Sequence, residues 1–541
     1  MYRTQSLSAH WLMPQSILGL ALSIIAIITL VWLVASYSRV LYLRSRMPPG
    51  PFPYPFVGNI GQVPTEKPYL TFEKWSKYYN SPLITVWTGT RPTVIANDCW
   101  SASDLMDKRA NIYSSRPDSY LAGDMLDDTE NNQTNLVYGD KWRLHRRITL
   151  QQHSAVGSQA VRGYRTFQGN ESKILARDIL ENNNFVSSIE RYACSVASII
   201  GWGRRIRDTE DGLARLALSF VQTGASLGTP AQHLAESYQW MCKLPRWIYP
   251  LPSALWEDGQ KLLKYFYDLT VEGSRFPEDS FSKRLMNEQL EHKLSPKEIA
   301  SLTGNLIGGG VDTTTTTIIV FIFAMCGFPR VQKKAQEEID RVLAGEPRPP
   351  TWDDEESLPY CRALLTEIFR WRSAIALGGP PHAPIQDDIY NGMLIPAGTT
   401  ILGNTWAIHR NPRDYPNPDE LRPERFLDEA ERRPNPSKRG IFTFGWGRRV
   451  CSGQPLAEQG IWFTMVELLW AFRMRSVDEQ GNDKPVDIFA FNNSPAPRPL
   501  PFNVEFTPRS ENIEDLIGQE ASRAELELRK YDITSQVALP S

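Results

Sequence analysis

The sequence predicts a mainly α-helical protein with small β-sheets, preceded by one transmembrane helix. Three observations support this expectation. Residues 17–37 contain no charged side chain, which is typical of a membrane span. Helix caps and helix-ending Gly and Pro residues bracket several long runs in the second half of the chain. Only short runs rich in β-branched residues remain for strands.

The overall composition excludes some classes of function. The chain has 541 residues, with 59 Lys and Arg against 61 Asp and Glu, a net charge of −2. Because there is no basic excess, we expect no nucleic-acid partner. The cysteines form no CxxC pair and no regular spacing, which is typical of a reducing compartment without a disulfide framework. They are Cys99, Cys194, Cys242, Cys326, Cys361 and Cys451.

The uncharged run at residues 17–37 is long enough to cross a membrane. At about 1.5 Å per residue in a helix, it covers roughly the 30 Å hydrocarbon core. A cleaved signal peptide is the alternative, but the run is longer than a signal core and no clean cleavage site follows it. Arg39, Arg44 and Arg46 follow the run and only Arg3 precedes it. The positive-inside rule therefore places the main body of the chain in the cytosol.

These features divide the chain into four segments. We expect a membrane anchor at residues 1–46 and a stiff proline-rich hinge at residues 47–58. A large domain follows at residues 59–508. The remaining residues, 509–541, are polar and charged, and we expect a surface appendage there.

Two segments of the domain carry weaker signals. Residues 83–87 and 93–96 are short β-rich runs around a turn, so they predict a hairpin. Residues 240–251 are aromatic and apolar. They could belong to the core, or they could form an exposed apolar surface near the bilayer.

A predicted helix near residue 142 places Trp142 and Arg146 on one face, because they are four residues apart. An indole N–H and a guanidinium on one face can bind a carboxylate. The alternative is an exposed basic helix, since Lys141, Arg143 and Arg147 are also present. If Trp142 and Arg146 bind a carboxylate, those three residues would remain as a basic face for an acidic partner.

A long helix is expected from Ser295-Pro-Lys-Glu298 to about Cys326, because this tetrapeptide is a capping box with Pro at the first helical position. Residues 308–317 inside it hold three glycines and five threonines. Each glycine costs roughly 1 kcal/mol relative to Ala in a helix, so a strand or loop is the alternative for this stretch. A glycine-rich helix segment also lets a small ligand approach the backbone.

Two further helices are expected at residues 329–343 and 358–372. In the second, Glu367 and Arg370 are three residues apart and share a face. Alone, this pattern usually marks a solvated ion pair. Downstream, the tetrapeptide Pro-Glu-Arg-Phe supplies Arg425.

The most specific stretch, residues 444–453, reads Phe-Gly-Trp-Gly-Arg-Arg-Val-Cys-Ser-Gly. Its Cys451 lies on a glycine-rich loop before a predicted helix at residues 454–473. Arg448 and Arg449 bring positive charge beside the sulfur, and the helix dipole also favours negative charge, so we expect a thiolate. A thiolate presented in this way is a candidate metal ligand, whereas a lone cysteine is more often a structural thiol.

This loop resembles the haem loop of the cytochrome P-450 family, Phe-x-x-Gly-x-Arg-x-Cys-x-Gly. Ser452 departs from the pattern, which usually has a small apolar residue or Pro after the cysteine. Four weaker motifs occur in the family's order: Trp-x-x-x-Arg, Gly-Gly-x-Asp-Thr, Glu-x-x-Arg and Pro-Glu-Arg-Phe. The resemblance covers residues 48–509 and implies the family's fold, a mostly helical triangular prism with small β-sheets at one side.

The resemblance implies that the domain at residues 59–508 is a haem-thiolate catalytic domain. Cys451 would be the axial ligand of the iron of haem b, and Trp142 and Arg146 would contact a haem propionate. The cofactor-binding residues implied in this way are Trp142, Arg146, Phe444, Gly447, Arg449, Cys451 and Gly453.

Two other motifs receive roles by the same resemblance. Gly309, Gly310, Asp312 and Thr313 would form a groove for dioxygen, with Asp312 and Thr313 as proton route and hydrogen-bond donor. Alternatively, the Thr313 hydroxyl only bonds to a carbonyl of its own helix. The buried structural triad would consist of Glu367, Arg370 and Arg425.

The implied activity is haem-dependent monooxygenation: hydroxylation or epoxidation of a lipophilic small molecule with one atom of O2. The implied electron donor is an NADPH-dependent diflavin reductase, and the implied location is the endoplasmic reticulum membrane, single-pass with a cytosolic domain. The chain also resembles filamentous-fungal microsomal members, many of which tailor secondary metabolites. The alternatives are a reductase-independent isomerase or dehydratase, against which Thr313 argues, a lipid or xenobiotic hydroxylase, and a non-catalytic haem carrier or sensor.

Overall fold

The computed structural model describes residues 15–540, apart from residues 128, 183, 228–231, 428–432 and 495. The first fourteen residues of the expected anchor, Arg3 among them, lie outside the described residues. Within the described residues the α-helices are, in chain order, α1 (Gln15–Arg44), α2 (Pro68–Tyr78), α3 (Cys99–Ser103), α4 (Ala110–Tyr113), α5 (Asp140–Leu150), α6 (Ser158–Gly163), α7 (Arg165–Glu181), α8 (Phe185–Trp202), α9 (Gly212–Leu227), α10 (Leu251–Gly273), α11 (Phe281–His292), α12 (Pro296–Gly327), α13 (Pro329–Leu343), α14 (Pro359–Trp371), α15 (Thr405–His409), α16 (Gln454–Ala471) and α17 (Glu511–Leu528).

Three small sheets accompany the helices. Strands β1 and β2 pair antiparallel, β2 pairs parallel with the distant β5, and two further antiparallel pairs are β3–β4 and β6–β7. The predicted hairpin is confirmed, with Gly89 in its turn at φ +56°. The strands are β1 (Leu83–Thr88), β2 (Arg91–Ala96), β3 (Asp388–Tyr390), β4 (Met393–Ile395), β5 (Thr400–Gly403), β6 (Phe472–Ser476) and β7 (Val504–Pro508).

Helix α1 is a candidate membrane span. Its segment Gly19–Arg44 has a mean hydropathy of 2.4, and none of its most apolar window is buried against the rest of the protein. Helix α12 is also long and apolar, but 67% of its corresponding window is buried. Both helices are therefore long and apolar enough to cross a membrane. The burial of α12 identifies it instead as the central helix of the domain.

Helix α12 is continuous through the glycine- and threonine-rich stretch, as the capping box predicted. The Ser295 hydroxyl accepts from the Glu298 N–H, and the Glu298 carboxylate accepts from the Ser295 N–H. The helix packs against α8, α9, α10 and α16. Burial of apolar residues on both sides of the glycines offsets their low helix propensity.

The aromatic segment at residues 240–251 contains both packed and exposed side chains. Met241, Cys242, Tyr249 and Leu251 pack against a small buried cluster, whereas the two tryptophans are exposed. Trp240 is 54% exposed and Trp247 is 84% exposed. Just before it, the ring of Tyr238 contacts that of Trp32 on α1, with centroids 6.3 Å apart. The exposed aromatic residues therefore follow a contact with the candidate membrane span.

The structure differs from the expectation of a surface appendage at the C-terminus. Helix α17 packs against α7, and Ile517, Ala521, Ala524 and Leu528 are buried on one face of it. These residues are spaced at intervals of three or four, a helical stripe that the polar composition of the segment conceals.

Charged side chains on the other faces of α17 form ion pairs with side chains of α7. The Lys173 ammonium lies 2.6 Å from the Glu520 carboxylate, and the Arg177 guanidinium lies 2.9 Å from that of Glu525. The C-terminal segment is therefore part of the domain surface that covers α7.

The two leucines near the end of α17 test this contact. Leu528 is 1% exposed and Leu526 is 58% exposed. We expect Leu528→Ala to lower the free energy of unfolding by about 2–5 kcal/mol, because it opens a cavity against the core. The matched control Leu526→Ala should change it by no more than about 0.5 kcal/mol. Denaturant titration of both variants measures this, and equal effects would contradict the described contact.

Candidate functional site

Cys451 lies between a short 3-10 turn, Gly447–Arg449, and the start of α16. The loop is closed by the Cys451 N–H, which donates to the Phe444 carbonyl at 2.8 Å. Cys451 is an exposed cysteine, whereas Cys99, Cys194 and Cys361 are buried. The thiol is therefore accessible at a point that the backbone fixes on both sides.

The glycines of this loop meet a geometric requirement. Gly447 has φ +52°, and a Cβ built there would lie 2.4 Å from the Met106 carbonyl oxygen. Gly445 has φ +84°. Side chains at either position would strain the backbone, and at Gly447 a side chain would also clash with the neighbouring segment. These two positions therefore require glycine.

The electrostatics of Cys451 differ in part from the expectation. Although the Cys451 side chain is accessible to solvent, protein atoms crowd around it, and this partial loss of water raises the pKa of the thiol; the Gly453 N–H, the Arg146 guanidinium and the Gln454 N–H oppose this effect. Arg448 instead donates to the Tyr138 hydroxyl at 2.8 Å. Arg146 is therefore the cation that favours the thiolate, and a bound metal ion would favour it further.

Arg449 also turns away from the sulfur. Its guanidinium donates to the carbonyls of Ser114 at 2.7 Å and Leu136 at 2.6 Å, and it lies 4.5 Å from the centre of the Trp142 ring. Arg146 donates to the Val450 carbonyl at 2.6 Å. Trp142, Arg146 and Arg449 are thus brought together beside the cysteine loop.

Arg116 extends this group of cations, and sequence reasoning gave it no role. It donates to the carbonyls of Pro380 and Pro381 at 2.9 and 2.8 Å. Burial and the neighbouring Arg146 lower the pKa of Arg116, and burial, Arg116 and Arg146 lower that of Arg449. Within the described part of the chain, none of these three guanidinium groups forms an ion pair with a carboxylate. We call Arg116, Arg146 and Arg449 the cation cluster.

The glycine stretch of α12 leaves free space along the helix. A Cβ built at Gly308, Gly309 or Gly310 would meet no atom within 4 Å outside the helix. Gly308 and Gly309 are exposed although much of the helix around them is buried. Thr313 is half-buried one turn further on, and its hydroxyl donates to the Gly309 carbonyl at 2.7 Å.

The carboxylate of Asp312 has a partner that the sequence did not reveal. Arg498, from the loop before β7, forms an ion pair with Asp312 at 2.5 Å and with Glu190 on α8 at 2.9 Å. It also donates to the Thr316 hydroxyl at 3.1 Å. Burial raises the pKa of Asp312, and Arg498 opposes that rise.

The structure brings Glu367, Arg370 and Arg425 together, with unequal contacts. Glu367 and Arg370 form a buried pair with two hydrogen bonds of 2.7 and 2.8 Å. The Arg425 Nε atom is 3.4 Å from Glu367, and Arg425 also donates to the Asn417 carbonyl at 2.8 Å. Burying the carboxylate is tolerated because two guanidinium groups neutralise it.

A histidine that the sequence analysis missed connects this triad to the cysteine loop. Arg370 donates to the His409 carbonyl at 2.9 Å, and the His409 Nε2 atom accepts from the Phe442 N–H at 2.9 Å. Burial and Arg370 lower the pKa of His409 to about 3, so the ring is neutral and Nε2 can accept. No local pattern marks His409, because its partners lie far away in the sequence.

The chemistry of these groups fits a haem. An accessible cysteine could bind the iron, open helix backbone at Gly308–Gly310 could accept a flat macrocycle and a small ligand, and the cation cluster could bind two propionates. A cluster of like charges with one buried member, Arg449, and two half-buried members is costly unless an anion neutralises it. The cluster therefore matches a cofactor with two carboxylates.

Comparisons with known proteins agree with this fit. The family model described as Cytochrome P450 matches residues 48–500. A tryptamine 4-monooxygenase of Psilocybe cyanescens is 33% identical over 490 residues, 87% of this chain and 94% of that protein. The cytochrome P450 monooxygenases claR of Ampulloclitocybe clavipes and FrzL of a Cladobotryum species are 34% and 32% identical, over 91% and 92% of this chain and 91% and 94% of their own lengths. The chain therefore belongs to the cytochrome P450 family and is an oxidoreductase, a monooxygenase with a haem held by a cysteine thiolate.

Proposed function

We propose that this monooxygenase hydroxylates or epoxidises a lipophilic small molecule as a tailoring step of fungal secondary metabolism, with Cys451 as the axial ligand. The observation that carries the proposal is the accessible Cys451 beside a cation cluster without carboxylates. Fungal origin of the relatives supports the biological setting. The name of one relative specifies tryptamine as its substrate, and that substrate is assigned to the relative alone.

Each part of the site has a task in this proposal. Haem supplies the activation of O2. Trp142, Arg146 and Arg449 would bind the propionates and orient the ring, while Phe444, Gly447 and Gly453 would shape the loop so that the sulfur can reach the iron. The glycines of α12 leave room for O2 beside the backbone.

Asp312 and Thr313 control protons at the site. The Thr313 hydroxyl gives its hydrogen to the Gly309 carbonyl, so its oxygen lone pairs remain available to accept a hydrogen bond from a water or substrate group. Asp312 is held by Arg498, and proton delivery from it would require this ion pair to loosen.

We further propose an NADPH-dependent diflavin reductase as the electron donor. Lys141, Arg143, Arg147 and Arg448 are exposed near the cysteine loop, and they offer a basic face to an acidic partner. The proposed location is the endoplasmic reticulum membrane with the domain in the cytosol. The exposed Trp247 and the contact of Tyr238 with the anchor helix support a membrane-facing surface there.

The first test concerns Cys451. We expect Cys451→Ser to abolish the red-shifted carbon monoxide band of the reduced protein, because a serine hydroxyl cannot replace the thiolate. The absorption spectrum measures this directly. Cys326→Ser is the control, since that cysteine is half-buried on α12, and it should leave the band in place. Survival of the band in Cys451→Ser would disprove the assignment.

The second test concerns coupling of electron use to product. With reductase and NADPH, we expect Thr313→Ala to consume NADPH but to lose product by about tenfold or more, with hydrogen peroxide released instead. A positioned proton donor or acceptor contributes about 10²–10⁴-fold to a reaction. Product formed per NADPH oxidised is the measured quantity, with peroxide assayed in parallel.

Thr314→Ala is the matched control, because successive helix residues point about 100° apart. It should retain coupling. Unchanged coupling in Thr313→Ala, or a larger loss in Thr314→Ala, would contradict the role of Thr313. Conversion of substrate without reductase or NADPH would instead favour an isomerase or dehydratase.

A further inference from the structure

A second cavity lies between the start of α2, the end of α14, α15 and the loop that follows β6. Its volume is about 110 Å³, several times the ~30 Å³ share of one water molecule in the liquid. None of the residues that line it belongs to the cation cluster or to the cysteine loop. Its principal lining residues are Lys67, Trp371, Arg372, Ser373, Trp406 and Phe489.

Arg372 is the unusual group in this cavity. The residue is 5% exposed, and its guanidinium donates to the carbonyls of Trp371 at 2.8 Å and Ile488 at 2.7 Å. Its Nε atom has no hydrogen-bond partner, and neither does the buried Ser373 hydroxyl. Among the described residues no carboxylate forms an ion pair with Arg372. A buried charge in this state is costly.

The neighbouring charges do not compensate Arg372. Arg370 is neutralised by Glu367, and Arg410 forms an ion pair with Asp419. Lys67 also lines the cavity and is half-buried, and no carboxylate forms an ion pair with it among the described residues. Glu73 accepts from the Trp406 Nε1–H at 3.1 Å but forms its ion pair with Lys77. Arg372 and Lys67 therefore have no carboxylate partner in the described part of the chain.

Aromatic rings hold the Arg372 guanidinium in place and form the walls. Its central carbon lies 4.1 Å from the centre of the Trp371 ring, 5.3 Å from that of Trp406 and 5.6 Å from that of Phe489. Such rings stabilise a cation and also offer flat surfaces to a planar ligand. The rings do not act as hydrogen-bond acceptors for the Nε–H of Arg372, which points outward in the plane of the guanidinium.

We propose that this cavity binds an oxyanion, a carboxylate or phosphate group, carried by a small molecule. The Arg372 guanidinium and the Ser373 hydroxyl donate to the oxyanion, Lys67 adds a second positive charge at the cavity wall, and the rings contact the flat remainder of the ligand. Guanidinium groups bind carboxylate and phosphate with strong, charge-assisted hydrogen bonds. The site is independent of the proposed oxidation reaction, because it uses none of the haem-binding residues.

The test uses the full-length, haem-loaded protein, so that the cation cluster is already occupied. Binding of 4-fluorobenzoate is followed by fluorine NMR, and binding of inorganic phosphate by phosphorus NMR. We expect saturable binding of at least one probe. Arg372→Gln should weaken it by at least about tenfold, because a charge-assisted hydrogen bond is lost. The control Arg330→Gln, at an exposed arginine of α13, should leave binding unchanged.

Lys67→Gln provides a second variant should Arg372→Gln fail to fold, which the carbon monoxide spectrum reports. We expect it to weaken binding about threefold or more, because a charge at the wall is lost. Preference for one probe identifies the oxyanion as carboxylate or phosphate. Absence of saturable binding of both probes, or equal affinity in wild type and the folded variants, would overturn the proposal and leave Arg372 as a cation held only by carbonyls and rings.

Discussion

The constraint on which the site depends is the clustering of guanidinium groups without carboxylate partners beside Cys451, with Arg449 buried and Arg116 and Arg146 half-buried. Arg116, Arg146 and Arg449 satisfy their hydrogen bonds largely with backbone carbonyls, which are dipoles and leave the positive charge uncompensated. An anionic ligand lowers the free energy of this arrangement. The positive charge of the cluster therefore remains uncompensated in the folded chain until such a ligand binds. Haem carries two carboxylates that can compensate it and an iron that a cysteine can bind.

The rest of the fold holds this arrangement in place. Helix α12 provides open backbone on one side, and α16 begins directly after the cysteine. The Glu367–Arg370 pair reaches the loop through the neutral ring of His409, which accepts from Phe442. The loop before β7 has two roles, because Arg498 holds Asp312 while Phe489, further upstream, lines the second cavity.

Features that depend on the spacing of residues close together in the chain could be predicted from the sequence. The capping box at Ser295 fixed the start of α12, and the glycines around Cys451 reflect positive φ angles and a close approach that the structure contains. Contacts between distant segments could not be predicted. Arg498 and His409 meet their partners only after folding, so no spacing identifies them.

Two expectations were wrong for physical reasons that the sequence hides. Arg448 and Arg449 lie three and two residues before Cys451 in the sequence. In the fold, however, Arg448 contacts Tyr138 and Arg449 contacts backbone carbonyls. The cation that acts on the sulfur is Arg146. The polar composition at residues 509–541 hid a stripe of small apolar residues, and only the packed helix α17 reveals it.

The central claim is that the cation cluster binds the propionates of haem, and reconstitution tests it most directly. The apoprotein is titrated with haem and with haem dimethyl ester, in which both propionates are uncharged. We predict that the ester binds at least about tenfold more weakly, because charge-assisted hydrogen bonds to the arginines are lost. Equal affinity for the two compounds would contradict the account.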